Sequence, residues 1–175
     1  IIPTGNCICV ATGGITLGGG VGALCRLFGL MCDNVISFNM VDADGKLIKV
    51  SESENSDLFW ALRGGGNGSY GIITDIKFKI YKDIYCQYYK LKWKYNREEV
   101  GNIFNYWQEW IQSVPNNVKG DLIWVYDYGT ATLNGEFVKF GREPFYELDR
   151  FKELYNPEVE IDEFKKIFPV FSSPR

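Results

Sequence analysis

The 175-residue chain has no histidine. That absence removes the serine, cysteine and zinc chemistries that depend on imidazole, as far as this chain's own residues go. Proline is scarce: none stands between Pro3 and Pro115. No apolar run approaches the roughly 18 residues that a membrane-spanning helix needs. No basic stretch leading into an apolar core marks a signal peptide. Charge of one sign is lacking too. Lys and Arg number 19 against 22 Asp and Glu, a net charge of −3, so the totals imply neither a nucleic-acid partner nor a membrane surface. The five cysteines are Cys7, Cys9, Cys25, Cys32 and Cys86. Their C-x-C and C-x6-C spacings match no zinc pattern, so no metal site is expected. Cys25, Cys32 and Cys86 are expected as small buried hydrophobes, the usual role of a free cysteine.

Glycine is what the first part of the chain has in excess. One cluster runs from Gly5 to Gly22 and holds Gly13, Gly14, Gly18, Gly19 and Gly20; a second runs from Gly64 to Gly71. Glycine costs conformational entropy on folding, so such clusters point to close backbone approach or to φ > 0 at several positions. Both lie between apolar periodic segments and carry almost no charge, which favours two walls of one cofactor site over a flexible linker. Gly66, Gly68 and Gly71 spell G-x-G-x-x-G, but a dinucleotide fingerprint follows a strand and opens a helix. Here the order is reversed. Neither cluster ends in Gly-Lys-Ser/Thr, so a P-loop is excluded as well. What remains is the mechanism these sites share: open backbone N–H groups that hydrogen-bond a cofactor.

The patterning predicts α+β organisation. A short helix is expected over Gly19–Phe28, stopped by Gly29. Val35–Val41 and Leu47–Val50 form a hairpin around Asp42-Ala-Asp-Gly45. A helix over Asp57–Arg63 is capped by Asn55 or Ser56, and a strand covers Ile72–Ile80. Ten of the eleven tyrosines lie from Tyr81 onward, and a boundary there divides residues 1–82 from residues 83–175. The second part reads strand (Ile84–Tyr95), helix (Arg97–Val114), strands (Leu122–Tyr128 and Ala131–Phe140) and helix (Pro144–Leu154). Val100, Ile103, Phe104, Trp107, Trp110 and Ile111 make a core-facing stripe on the long helix. Residues 158–175 carry no readable period.

Several motifs then occur in order: Gly5-Asn-Cys7-Ile-Cys-Val10-Ala-Thr-Gly13-Gly14, Gly18-Gly19-Gly20-Val-Gly22, Asp33-Asn34-Val35, Val41-Asp42-Ala43-Asp-Gly45, Asp57-Leu-Phe-Trp-Ala-Leu-Arg-Gly-Gly-Gly66 and Tyr70-Gly71-Ile72-Ile73-Thr74. Together they resemble the berberine-bridge-enzyme-like branch of the FAD-linked oxidases. The resemblance covers residues 5–80 and implies the second subdomain of a PCMH-type FAD-binding domain, followed by part of an α+β substrate-binding domain. It further implies FAD as cofactor, with Cys7 of Cys7-Ile-Cys-Val10 as the residue bonded to flavin C6; Cys9 is a second candidate. Val10, Ala11, Gly13, Gly14, Ile15, Gly18 and Ile73 are the other cofactor-binding candidates. In the family, valine at the Val10 position admits O2 to the flavin. The activity implied is an oxidase that passes hydride from an alcohol, sugar or amine to flavin and then to O2. A flavin-free relative with a structural or binding role is the alternative.

The chain departs from the family in two places. Ile15 stands where histidine is usual, and the family's second, histidyl flavin tether has no residue here. The resemblance also implies more of the same protein before Ile1 and after Arg175, including the catalytic base, so no catalytic residue is assigned. By resemblance alone, the secretory pathway is the expected compartment.

Overall fold

A computed structural model describes residues 1–7, 9–66, 68–94, 96–127 and 129–166. The expected strand ends at Tyr95 and Tyr128, and the tail 167–175, lie outside the described residues. The chain divides into two compact units, one spanning Ile1–Lys82 and the other beginning at Asp83.

In the first unit, α1 (Thr12–Leu17) and α2 (Cys25–Phe28) precede a three-stranded antiparallel sheet of order β2-β1-β3. The strands are β1 (Val35–Val41), β2 (Leu47–Ser51) and β3 (Ile72–Phe78), and α3 (Ser56–Leu62) lies between the last two in sequence. The Asp42–Gly45 turn joins β1 to β2 as expected: Asp42 accepts from Asp44 and Lys46 through Oδ1 and from Gly45 through its carbonyl. One face of the sheet is apolar. Val35, Phe38, Met40 and Val50 pack there with Phe59 and Leu62 of α3 and Leu17 of α1. Val35 and Phe38 are three apart yet share that face, because the β1–β3 register shifts between Val35 and Ser37. Burying side chains of this size contributes about 1.5–3 kcal/mol each.

Several local expectations need correction. The helix predicted over Gly19–Phe28 starts only at Cys25, because Gly19 and Gly20 take φ of +101° and +81°; those values lie outside the helical region. Gly29 does end it. Gly13 and Gly14, for which no helix is expected, sit inside α1. Asn55 precedes α3, but in the left-handed region with no capping bond; its Nδ2 donates to the Lys49 carbonyl instead. β3 ends at Phe78, and Ile80 is exposed. Cys25 is half-buried, on a four-residue helix none of whose residues is buried, whereas Cys32 and Cys86 are buried.

The second unit is a four-stranded antiparallel sheet of order β5-β6-β4-β7, with helices packed on one face. Its elements are β4 (Tyr85–Lys94), α4 (Arg97–Ser113), β5 (Val118–Asp127), β6 (Thr130–Phe140), α5 (Asp149–Tyr155) and β7 (Glu158–Lys166). A 3-10 turn, Tyr146–Leu148, leads into α5, so the helix predicted from Pro144 begins later. The stripe on α4 faces the core. Val100, Ile103 and Trp110 are buried, and Phe104, Trp107 and Ile111 pack around them. Asn96 caps α4 by accepting from the Glu98 and Glu99 N–H groups. Phe151 is fully buried within a ring of Trp93, Tyr106, Trp110, Phe137 and Tyr155. Three indole N–H groups of this unit donate to carbonyls: Trp93 to Tyr155, Trp107 to Gly120 and Trp110 to Glu147.

Candidate functional site

The first glycine cluster folds into three pieces. Residues 1–7 run as a strap along residues 20–23. Asn6 Oδ1 accepts from the Ala23 N–H at 2.8 Å, and a Cβ on Gly22 would overlap the Thr4 carbonyl. A turn follows, closed by the Val10 N–H donating to the Cys7 carbonyl at 3.3 Å. Then α1 begins. The Met31 and Cys32 N–H groups donate back to Gly20 and Gly19, both at 2.9 Å. Asn34 completes this knot with a buried amide: Nδ2 donates to the Phe28 and Leu30 carbonyls, and Oδ1 accepts from the Tyr81 hydroxyl.

The second cluster joins the first. The Gly66 N–H donates to the Leu17 carbonyl at 3.1 Å, and a Cβ on Gly64 would come 3.7 Å from Gly19 Cα. The end of α3 and the end of α1 therefore meet through glycine backbone. Arg63, at the C-terminus of α3, lays its guanidinium 4.5 Å over the Phe59 ring. Its Nε is buried with no hydrogen-bond partner among the described residues. Arg63 was legible in the sequence only as part of a motif; its open donor became visible with the fold.

The candidate residues fall into two groups. Cys7, Val10, Ala11, Gly13, Gly14, Ile15 and Gly18 are contiguous along the turn and α1. Cys7, Cys9, Val10, Ala11, Gly13, Gly14 and Gly18 are exposed, and Ile15 is half-buried. Ile73 sits on β3 opposite Met40, and its side chain packs into the cluster that also holds Leu17. Backbone accounting narrows the donors. The Val10, Ile15 and Gly18 N–H groups are used internally, by Cys7, Ala11 and Gly14. Ala11 supplies no side-chain cap, so the first-turn N–H groups of α1 have no intrahelical acceptor. A Cβ on Gly13, Gly19, Gly66 or Gly68 would meet nothing within 4 Å. Open backbone, first-turn donors, an exposed thiol at Cys7 and the Arg63 donor together fit a flat, carbonyl-rich and anionic group such as FAD.

The Cys32 thiol is pushed up by burial and then by Asp33 beside it. It is 3.9 Å from Asp33 Oδ1 and belongs to the knot rather than to the open face. Among the described residues no three His, Cys, Asp or Glu side chains cluster as metal ligands. No helix among them is long and apolar enough to cross a membrane.

Residues 1–51 match the FAD binding domain family. Residues 1–51 are part of an FAD-binding domain. The chain is 34% identical over 142 residues to the uncharacterized FAD-linked oxidoreductase YgaK of Bacillus subtilis, covering 78% of this chain and 31% of that protein. It is 48% identical over 85 residues to the FAD-linked oxidoreductase OXR1 of Pyricularia oryzae, covering 49% of this chain and 16% of that one. Among solved structures it is similar to the glucooligosaccharide oxidase of Acremonium strictum, whose FAD is 6-S-cysteinyl and 8α-N1-histidyl linked. The identity is 27% with a TM-score of 0.82, over 97% of this chain and 36% of that one. Physcomitrella patens BBE-like 1 matches at 28% identity and a TM-score of 0.77, over 94% of this chain and 36% of that one. Berberine bridge enzyme shares the fold, with a TM-score of 0.86 at 24% identity over 98% of this chain and 35% of that chain. The chain thus spans about a third or less of the proteins it matches. The resemblance read from the motifs holds in sequence and in fold, and the α+β class with it.

Proposed function

We propose that the protein containing this chain is an FAD-dependent oxidase in which Cys7 carries the flavin. The observation behind this reading is the placement of Cys7: an exposed thiol on the turn that enters α1, where a Cβ on Gly13 would meet nothing within 4 Å. When bound, FAD supplies the hydride acceptor and the route to O2, chemistry that no side chain offers. The chain's own part is to hold and orient. Cys7 anchors by a thioether; the first turn of α1, at Gly13 and Gly14, offers backbone donors; Val10, 48% exposed, presents a small apolar side chain next to the anchor. Ala11 and Gly18 keep the two ends of α1 free of bulk, and Ile15 and Ile73 pack behind that surface. The proposed substrate is a small molecule with a C–H bond next to oxygen or nitrogen.

The test is a flavin absorbance spectrum of the native full-length protein, before and after acid precipitation. Colour that stays with the precipitate, together with a flavin mass on the peptide containing Cys7, is the expected result. Colour that washes out overturns the anchor and leaves the cofactor. Protein that never holds flavin overturns the oxidase reading.

A further inference from the structure

Cys9 has no role in the reading above, yet it shares the turn with Cys7. Both thiols are exposed, and a single residue separates them. The Val10 N–H donates to the Cys7 carbonyl at 3.3 Å and so turns Val10 back onto Cys7. Such a turn keeps its Cα atoms within about 7 Å of one another, a spacing that overlaps the roughly 4.4–6.8 Å a disulfide bridges. The turn is held on both sides, by Asn6 on Ala23 before it and by α1 after it. The other three cysteines are less available. Cys32 and Cys86 are buried, and Cys25 is half-buried on α2.

We propose that Cys7 and Cys9 form a reversible disulfide in the flavin-free protein, and that this disulfide competes with attachment of flavin to Cys7. The oxidant is a hydroperoxide, the class of product that the proposed oxidase releases. One thiolate attacks a peroxide oxygen, the O–O bond breaks, and a sulfenic acid and water form. The second thiol attacks that sulfur, the S–O bond breaks, and a second water leaves as the S–S bond closes. Two sulfurs together lose two electrons, and one hydrogen peroxide becomes two waters. A small dithiol reverses the change. The oxidised turn offers no free sulfur at Cys7, and a Cys7 already bonded to flavin leaves Cys9 without a partner, so the two states exclude each other. Only this competition rests on the proposed anchor; the disulfide itself does not.

The experiment uses full-length protein from riboflavin-limited cells, so that Cys7 starts unmodified. The protein is treated with hydrogen peroxide, blocked with N-ethylmaleimide and digested with trypsin, and the peptide that ends at Arg26 and contains Cys7 and Cys9 is fragmented. The expected result is loss of two hydrogen masses located to Cys7 and Cys9, no maleimide on either, and reversal by dithiothreitol. Added FAD should then survive acid precipitation only in the dithiothreitol-treated sample. In Cys9→Ser the peroxide step should form no disulfide. Maleimide on both Cys7 and Cys9 after peroxide overturns the pair, and so does a disulfide that maps to Cys25. A correct disulfide in a protein whose reduced form never retains FAD overturns the competition, and in that case it is the anchor that has failed.

Discussion

The Ile15 side chain occupies the space that a Cβ on Gly5 would need. The strap and α1 are locked to each other there, and the same side chain lies beside Gly20. Gly5→Ala should therefore cost about 1–3 kcal/mol by overpacking. Ile15→Ala should cost about 1–2 kcal/mol, below the range for a fully buried isoleucine, because Ile15 is half-buried. The double variant should be less destabilised than the two single costs predict. Chemical denaturation of all four proteins gives the coupling, and simple additivity would mean that the two residues do not touch.

Lys139 is buried on the helix side of the second unit's sheet. Its Nζ donates to the Pro144 carbonyl and to both Glu147 carboxylate oxygens, at 2.8–2.9 Å. The partners are buried unequally: the side chains are 6% and 25% exposed. Glu147→Ala strands a cation that water barely reaches, so it should cost about 3 kcal/mol. Lys139→Met strands a carboxylate that water can reach and should cost about 1 kcal/mol. Urea midpoints of the two variants check the order, and equal costs would contradict it.

Tyr88 and Tyr89 are neighbours on β4, and both hydroxyls are pushed up to about 12. Burial is the first cause for each, followed by Glu136 at Tyr88 and by the hydrogen bond to Asp162 at Tyr89. The folded state thus holds these protons more tightly than the unfolded chain. The stability this contributes is complete below pH 10, the ordinary value, and is lost as pH rises toward about 12. Burial raises Tyr155 as well, so ultraviolet titration of tyrosinate should show one late group fewer in Tyr88→Phe or Tyr89→Phe than in wild type. The second unit should unfold in that alkaline window.

Burial raises the Cys86 thiol to about 11 and raises Cys32 as well. At neutral pH both should react with iodoacetamide far more slowly than exposed Cys9, because the thiolate is the nucleophile. Timed alkylation with peptide mapping measures this. Early labelling of Cys32 or Cys86 would contradict their placement.

Legibility in the sequence followed periodicity. β1, α3 and the stripe on α4 announced themselves, since each alternates or repeats against a single core. β7 did not: Glu158–Lys166 sits at a sheet edge and is largely charged, as suits an exposed edge strand, and the charge hid its alternation. α1 was hidden by composition, because two of its six residues are glycine, and glycine is a poor helix former. What holds it is the packing of Leu17 and the Gly66 bond, neither of which has a local signature. At the candidate site the motifs pointed to Cys7 and the glycines. The contact between the clusters and the open Nε of Arg63 needed the fold.

The crossing at Gly22 has a consequence for reading other sequences. With the Thr4 carbonyl lying where a Cβ would go, position 22 becomes a ruler for the strap. A relative with any side chain there must route its chain differently past that point and would then reach its own cysteine turn from another direction. One position thus sorts proteins that share this strap from those that merely share the glycine count.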